Sequence, residues 1–181
     1  HHPSMPAWPQ SIAVWSFLFF PACFDILYFI GISAKIPKRE GEIQFPNTSN
    51  NVIYADILKG KDTLRIYSMH LQSIKISTDI HEDLNQEKSK FIFMRISEAF
   101  TLQQQQAEII KKHFDECNYP KIICGDLNNS AFSYVYRTVK GDMKDAFEQA
   151  GTGFGKSYNF KCYPARIDYV FVENTIEVKE F

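Results

Sequence analysis

Hydrophobic and polar positions divide the chain into two textures. Residues 12–32 are apolar almost without interruption, broken by Ser16, Pro21 and Asp25. The run has the length of a membrane-crossing helix, and Lys35, Lys38 and Arg39 follow it as a positive flank would. Against that reading, a carboxylate such as Asp25 near the middle costs roughly 2.5–3.5 kcal/mol on insertion scales. A buried hydrophobic segment is the alternative, and the two readings stand level. From Gly41 the pattern becomes that of a soluble α/β protein. The expected organisation is therefore an apolar segment over 1–40, a possible membrane anchor, and a domain over 41–181.

Within the domain, Pro46–Asn51 is a loop by composition. Val52–Leu58 and Thr63–Leu71 are rich in β-branched and aromatic residues and flank the turn Lys59-Gly60-Lys61-Asp62, which predicts a hairpin. Ser73–Lys90 is polar and reads as a long loop. Ile92, Ile96, Ala99 and Phe100, then Ala107, Ile110 and Phe114, recur at helical spacing and predict a helix over 91–117. Gln103–Gln106 falls on its expected solvated part, and Asn118-Tyr119-Pro120 ends it. Lys121–Cys124 reads as a short buried strand, Ser133–Val139 as a short helix and Ile167–Glu173 as a further strand. No internal repeat is present.

Composition narrows the class. The chain has 181 residues, is 45% hydrophobic and contains 16 Phe, enough for one packed domain and incompatible with disorder. Its formal net charge is −1, from 20 basic and 21 acidic residues, so it lacks the basic footprint of a dedicated nucleic-acid binder. Cys23, Cys117, Cys124 and Cys162 show no CxxC spacing and read as free thiols.

Three short segments could carry chemistry. In Gly125-Asp126-Leu127-Asn128, a buried strand ends, a glycine permits a tight turn, and a carboxylate and an amide follow at alternate positions. Ligands of open α/β sheets bind beyond the carboxyl ends of strands. Asp126 there suits proton abstraction or a cation, and Asn128 suits an oxyanion. An Asx-turn closing the strand explains the same four letters. His70 ends the second hairpin strand, and imidazole is matched to proton transfer near neutral pH; a lone histidine is more often structural. Asp168 is a charge in the otherwise apolar strand of Arg166-Ile167-Asp168-Tyr169. It needs a partner, which would be Arg166 or another arginine in a structural role, or a histidine in a catalytic one.

These segments, in this order, resemble the endonuclease/exonuclease/phosphatase superfamily, which includes deoxyribonuclease-I-like nucleases and bacterial sphingomyelinases. Met69-His70-Leu71-Gln72, Gly125-Asp126-Leu127-Asn128 and Arg166-Ile167-Asp168-Tyr169 look like three of its motifs. Asp145-Ala146-Phe147 with Gly151–Gly155 resembles a subgroup found in Bacteroidetes-type bacteria. The resemblance implies a two-sheet α/β sandwich flanked by helices. It also implies hydrolysis of a phosphoester assisted by Mg²⁺ or Mn²⁺, with Asp126 and Asn128 at the metal. His70 would protonate or stabilise an oxygen of the reacting phosphoryl group, Asp126 would activate water, Asn128 would hold phosphoryl oxygens and Asp168 would orient a C-terminal histidine. Nucleic acid, phospholipid and sugar phosphate all remain open as substrates, and membrane-associated and cytoplasmic locations both remain open.

The chain departs from the family pattern at both ends. Residues 1–40 lack the family's strand Asn and its Gln-Glu pair, with Glu40 their only glutamate, and no Ser-Asp-His precedes Phe181. The expectation is an incomplete domain with little or no metal-dependent activity. A non-catalytic binding or membrane-tethered module of the same fold is the competing reading. If residues 12–32 lie outside the domain core, deletion of residues 1–34 leaves a folded and more soluble remainder. Circular dichroism and melting of the shortened chain check this, and an unfolded remainder would show that the segment supplies core.

Overall fold

A computed structural model describes residues 39–74, 86–160 and 163–181. The apolar run 12–32, Cys23 and Cys162 lie outside the described residues. Among those described, no helix is long and apolar enough to cross a membrane.

The strands are β1 (Arg39–Gln44), β2 (Asn51–Lys59), β3 (Asp62–His70), β4 (Lys121–Asp126), β5 (Lys144–Asp145), β6 (Tyr158–Phe160), β7 (Tyr163–Ala165) and β8 (Asp168–Val172). The helices are α1 (Gln86–Asp115), α2 (Tyr134–Lys140) and α3 (Ala146–Ala150). Six strands form one mixed sheet in the order β1-β2-β3-β4-β8-β5, and β6 and β7 form a separate ribbon. The predicted hairpin is present, with Leu58 opposite Thr63 and Val52 opposite Met69. Strand β4 then adds to β3 in parallel, and β8 adds to β4 in antiparallel sense. A parallel neighbour requires a crossover, and α1 supplies it.

Helix α1 begins at Gln86, five residues inside the expected loop of 73–90. Its C-terminal half meets the periodic expectation: Ala99, Ala107, Ile110 and Phe114 are buried, whereas Phe100 is exposed. The expectation that the glutamine run is solvated is corrected. Gln104 and Gln105 face solvent, but Gln103 and Gln106 are buried, because they lie on the same face as Ala99, Ala107 and Ile110.

The sheet has a different core on each side. Ala107, Ile110 and Phe114 of α1 pack with Val52, Tyr67, Met69, Ile123 and Phe171, together with Val135 and Val139 of α2. On the other side Ile57, Leu64, Ile66, Ile122, Cys124 and Val172 cluster with Ile176. Cys124 is thus a small buried hydrophobe, and both it and Cys117 are free thiols. The buried Arg65 pairs with Asp56 on the α1 side, with Nη2 donating to Oδ2 at 2.8 Å, and its guanidinium lies 4.5 Å above the Tyr54 ring. The Tyr67 hydroxyl, 3.1 Å from His113 Nδ1, joins the same side to α1.

Glycine is needed at position 125. A Cβ there would collide with the carbonyl oxygen and Cγ of Met69 on β3. Backbone cannot yield as a flexible side chain can, so Gly125→Ala must push β4 away from β3. A loss of about 2–3 kcal/mol is expected, in line with overpacked sites. Urea unfolding of the two chains measures it, and equal midpoints would show that the strands have room to spare.

Candidate active site

Register brings the predicted residues together. Position 70 pairs with 126 across β3 and β4, and 126 pairs with 168 across β4 and β8. His70, Asp126 and Asp168 therefore form one row across three neighbouring strands. By the two-residue alternation of strands, the row shares the face of Ile66, Cys124 and Val170, away from α1. It stands where β3 and β4 end and β8 begins, the sheet edge at which open α/β folds bind ligands.

His70 Nε2 lies 3.9 Å from Asp126 Oδ2, with half of the histidine side chain exposed. The Asp126 carboxyl is pushed up to about 7, first by burial and then by the charge of Asp168, while the amide of Asn128 opposes the rise. Burial also raises the Asp168 carboxyl, against the Ser157 hydroxyl and the nearby His70. The Ser157 oxygen further accepts from the amides of Ile167 and Asp168 at 3.0 and 3.1 Å, which fixes the start of β8.

Asn128 has two roles in holding this edge. Its backbone amide donates to Asp126 Oδ1 at 2.7 Å, the Asx-turn considered from sequence, and its φ of 48° lies in the left-handed region that asparagine tolerates. Its side-chain Nδ2 donates to the Leu71 carbonyl at 2.9 Å, tying the end of β4 to the end of β3. Asn50, in the loop marked by composition, donates from Nδ2 to the carbonyl of His70 at 3.0 Å.

Arg166 does not pair with Asp168. It forks onto Asp145, with Nη1 at 2.9 and 2.8 Å from the two carboxylate oxygens, and its guanidinium lies 4.7 Å from the centres of the Phe147 and Tyr169 rings. Asp145 is fully buried and also caps α3 by accepting from the amide of Phe147. The Tyr136 hydroxyl completes the cluster 2.8 Å from Asp145 Oδ2. Sequence reasoning had no role for Asp145 and Tyr136; the acidic residue directly before a short helix was the available signal.

The donor set suits a partly hydrated hard cation. Asp126, whose proton affinity is raised by burial and then by the charge of Asp168, stands in an arrangement that a divalent ion relieves. Among the described residues, no group of three or more His, Cys, Asp or Glu stands at metal-ligand spacing.

Residues 94–180 match the model of the Endonuclease/Exonuclease/phosphatase family. The chain is similar in structure to an endonuclease/exonuclease/phosphatase family protein from Leptotrichia buccalis C-1013-b, with 18% identity and a TM-score of 0.52, over 80% of this chain and 52% of that one. It is also similar to the mannosyl-6-phosphatase Bt3783 of Bacteroides thetaiotaomicron VPI-5482, with 15% identity and a TM-score of 0.51, over 82% of this chain and 57% of that one. The chain spans about half the length of the solved structures it matches. No curated protein matches it. The family match over residues 94–180 and the shared fold support the endonuclease/exonuclease/phosphatase superfamily.

The raised carboxyl of Asp126 has a pH signature. The folded chain holds this proton more tightly than the unfolded chain, whose carboxyl titrates near 4. The group therefore favours the fold at low pH, and that contribution is lost as pH rises from about 4 through about 7. Asp126→Asn keeps the turn-forming oxygen and removes the titration. With divalent ions chelated, the melting temperature of the wild type is expected to fall more steeply than that of the variant over this window. Parallel curves would show that Asp126 titrates as an ordinary carboxylate.

Proposed function

We propose that this domain is a metal-assisted phosphoester hydrolase whose working groups are His70, Asp126, Asn128 and Asp168. The observation that carries the reading is their placement in one row and its adjoining loop, although they come from distant parts of the chain. Asp126 is the base: a carboxyl titrating near neutrality takes a proton from water far more readily than one near 4, and still carries charge at pH 7. His70, exposed beside it, donates to an oxygen of the phosphoryl group or of the leaving alcohol. One N–H of the Asn128 amide is used on Leu71, and the second is available to a non-bridging oxygen. Asp168, at the other end of the row, steadies the histidine through its charge when the imidazole is cationic.

Asp126 and the Asn128 side-chain oxygen, with Asp168 beside them, are the groups that would hold Mg²⁺ or Mn²⁺. When bound, such an ion supplies charge neutralisation at the phosphoryl oxygens. Only part of a metal shell is present among the described residues, which also supports the competing reading of a binding module without turnover. The near-neutral charge gives no long-range pull on duplex nucleic acid, so a compact phosphoester such as a sugar phosphate or a phospholipid headgroup suits the chain better.

The expected rate on bis(p-nitrophenyl) phosphate with Mg²⁺ is well below that of an ordinary enzyme, and it is lost on chelation. Asp126→Asn should lower it by about 10²-fold or more, the scale of a lost general base, with the fold retained. Hydrolysis that ignores both chelation and Asp126→Asn would rule out this site as its source.

A further inference from the structure

The two buried glutamines of α1 contact the site-bearing loops and not the core alone. Gln103 is completely buried, yet its side chain is amply partnered. Its Nε2 donates to the carbonyl of Gln72 at 2.6 Å, just past the end of β3. The same nitrogen donates to the carbonyl of Asn128 at 3.2 Å, just past the end of β4. Its Oε1 accepts from Nδ2 of Asn129 at 2.8 Å. One helical turn on, Gln106 Oε1 accepts from the amide of Gln72 at 2.9 Å.

One side chain thus bridges the loop that follows His70 and the loop that follows Asp126. We infer that Gln103, supported by Gln106, is a positioning residue of the active site, setting the spacing of the β3 and β4 loop ends and so of His70 and Asp126. The inference rests on the hydrolase reading for its consequence, but the clamp itself is structural and can be tested apart from it.

The chemistry calls for glutamine. The two N–H donors serve two carbonyls in different loops, and the carbonyl serves the Asn129 amide. Glutamate would set a buried charge against two carbonyl oxygens. An apolar residue would leave those carbonyls and an amide without partners in a dry site. The exposed Gln104, by contrast, bonds the exposed Glu108 on the same helix at 3.0 Å.

The test uses the full chain with Gln103→Met, which keeps length and volume and removes every hydrogen bond. Gln104→Met is the exposed control. Amide exchange by NMR is followed beside melting temperature and hydrolysis of bis(p-nitrophenyl) phosphate. The expected result is a loss of protection of about 10-fold or more at the amides of Gln72 and Asn128, with β2 amides unchanged. On the catalytic side, kcat should fall about 10-fold with KM nearly constant, as misplacement of reacting groups predicts. Gln104→Met should change neither.

Uniform loss of protection over the whole sheet would mean that Gln103 only supports the core, and would overturn the inference. Unchanged exchange at Gln72 and Asn128 would overturn it as well. A fall in kcat matched by an equal rise in KM would count against positioning. If Gln103→Met does not fold, Gln103→Asn, which keeps the amide but shortens its reach, is read by the same criteria. A wild type without hydrolysis sinks the hydrolase reading alone, and the exchange data still decide the clamp.

Discussion

The spacing between β3 and β4 is the constraint on which the rest depends. These strands are parallel, so no tight turn holds them in register; ladder bonds and close backbone approach must do so. Gly125 allows that approach against Met69. The register then places position 70 beside 126, and β8 brings 168 to the other side. Bonds beyond the strand ends continue the lock: Leu71 donates its amide to the Asp126 carbonyl at 2.9 Å, and Leu127 donates to the Ile167 carbonyl at 2.9 Å. The site is thus an extension of sheet geometry, and its precision comes from the sheet.

Two buried ion pairs brace different parts of this frame. Arg65 with Asp56 ties β3 to β2, and Arg166 with Asp145 ties the approach to β8 to the start of α3. Each charge meets a partner and aromatic surface, so its desolvation is offset locally. By contrast, Asp126 and Asp168 are left close to one another without an arginine. Burial raises the proton affinity of both, and the charge of Asp168 adds to the rise at Asp126.

Much of the frame was legible in the sequence because periodicity reports burial directly. The β2–β3 hairpin, the C-terminal half of α1, the short apolar strand of β4 and the strand around Tyr169 all follow from spacing and turn chemistry. The row of His70, Asp126 and Asp168 was legible only as separate motifs, since pairing register is a property of the assembled sheet. Strands β5, β6 and β7 have two or three residues each, too few to show a period. Gln103 and Gln106 misled because a polar letter normally marks a solvated position, and here the hydrogen-bond partners that make burial tolerable come from loops distant in sequence. The Arg166–Asp145 pair was hidden for the same reason. Arg166 has Asp168 two residues away, yet it lies before β8 begins, and its guanidinium reaches a carboxylate from another element.

The crossover between β3 and β4 also orders the assembly of the molecule. The β2–β3 hairpin closes across a local turn, an event of about 1–10 μs in isolated hairpins. Helix α1 can likewise form from its own contacts. The β3–β4 pairing must wait for both, because it joins segments on either side of the whole helix. A chain emerging from the ribosome displays His70 well before Asp126 exists to stand beside it. Opening of β4 reverses that order, dissolving the row while hairpin and helix persist. The row of His70, Asp126 and Asp168 therefore exists only in the completed sheet, and a half-made chain lacks it.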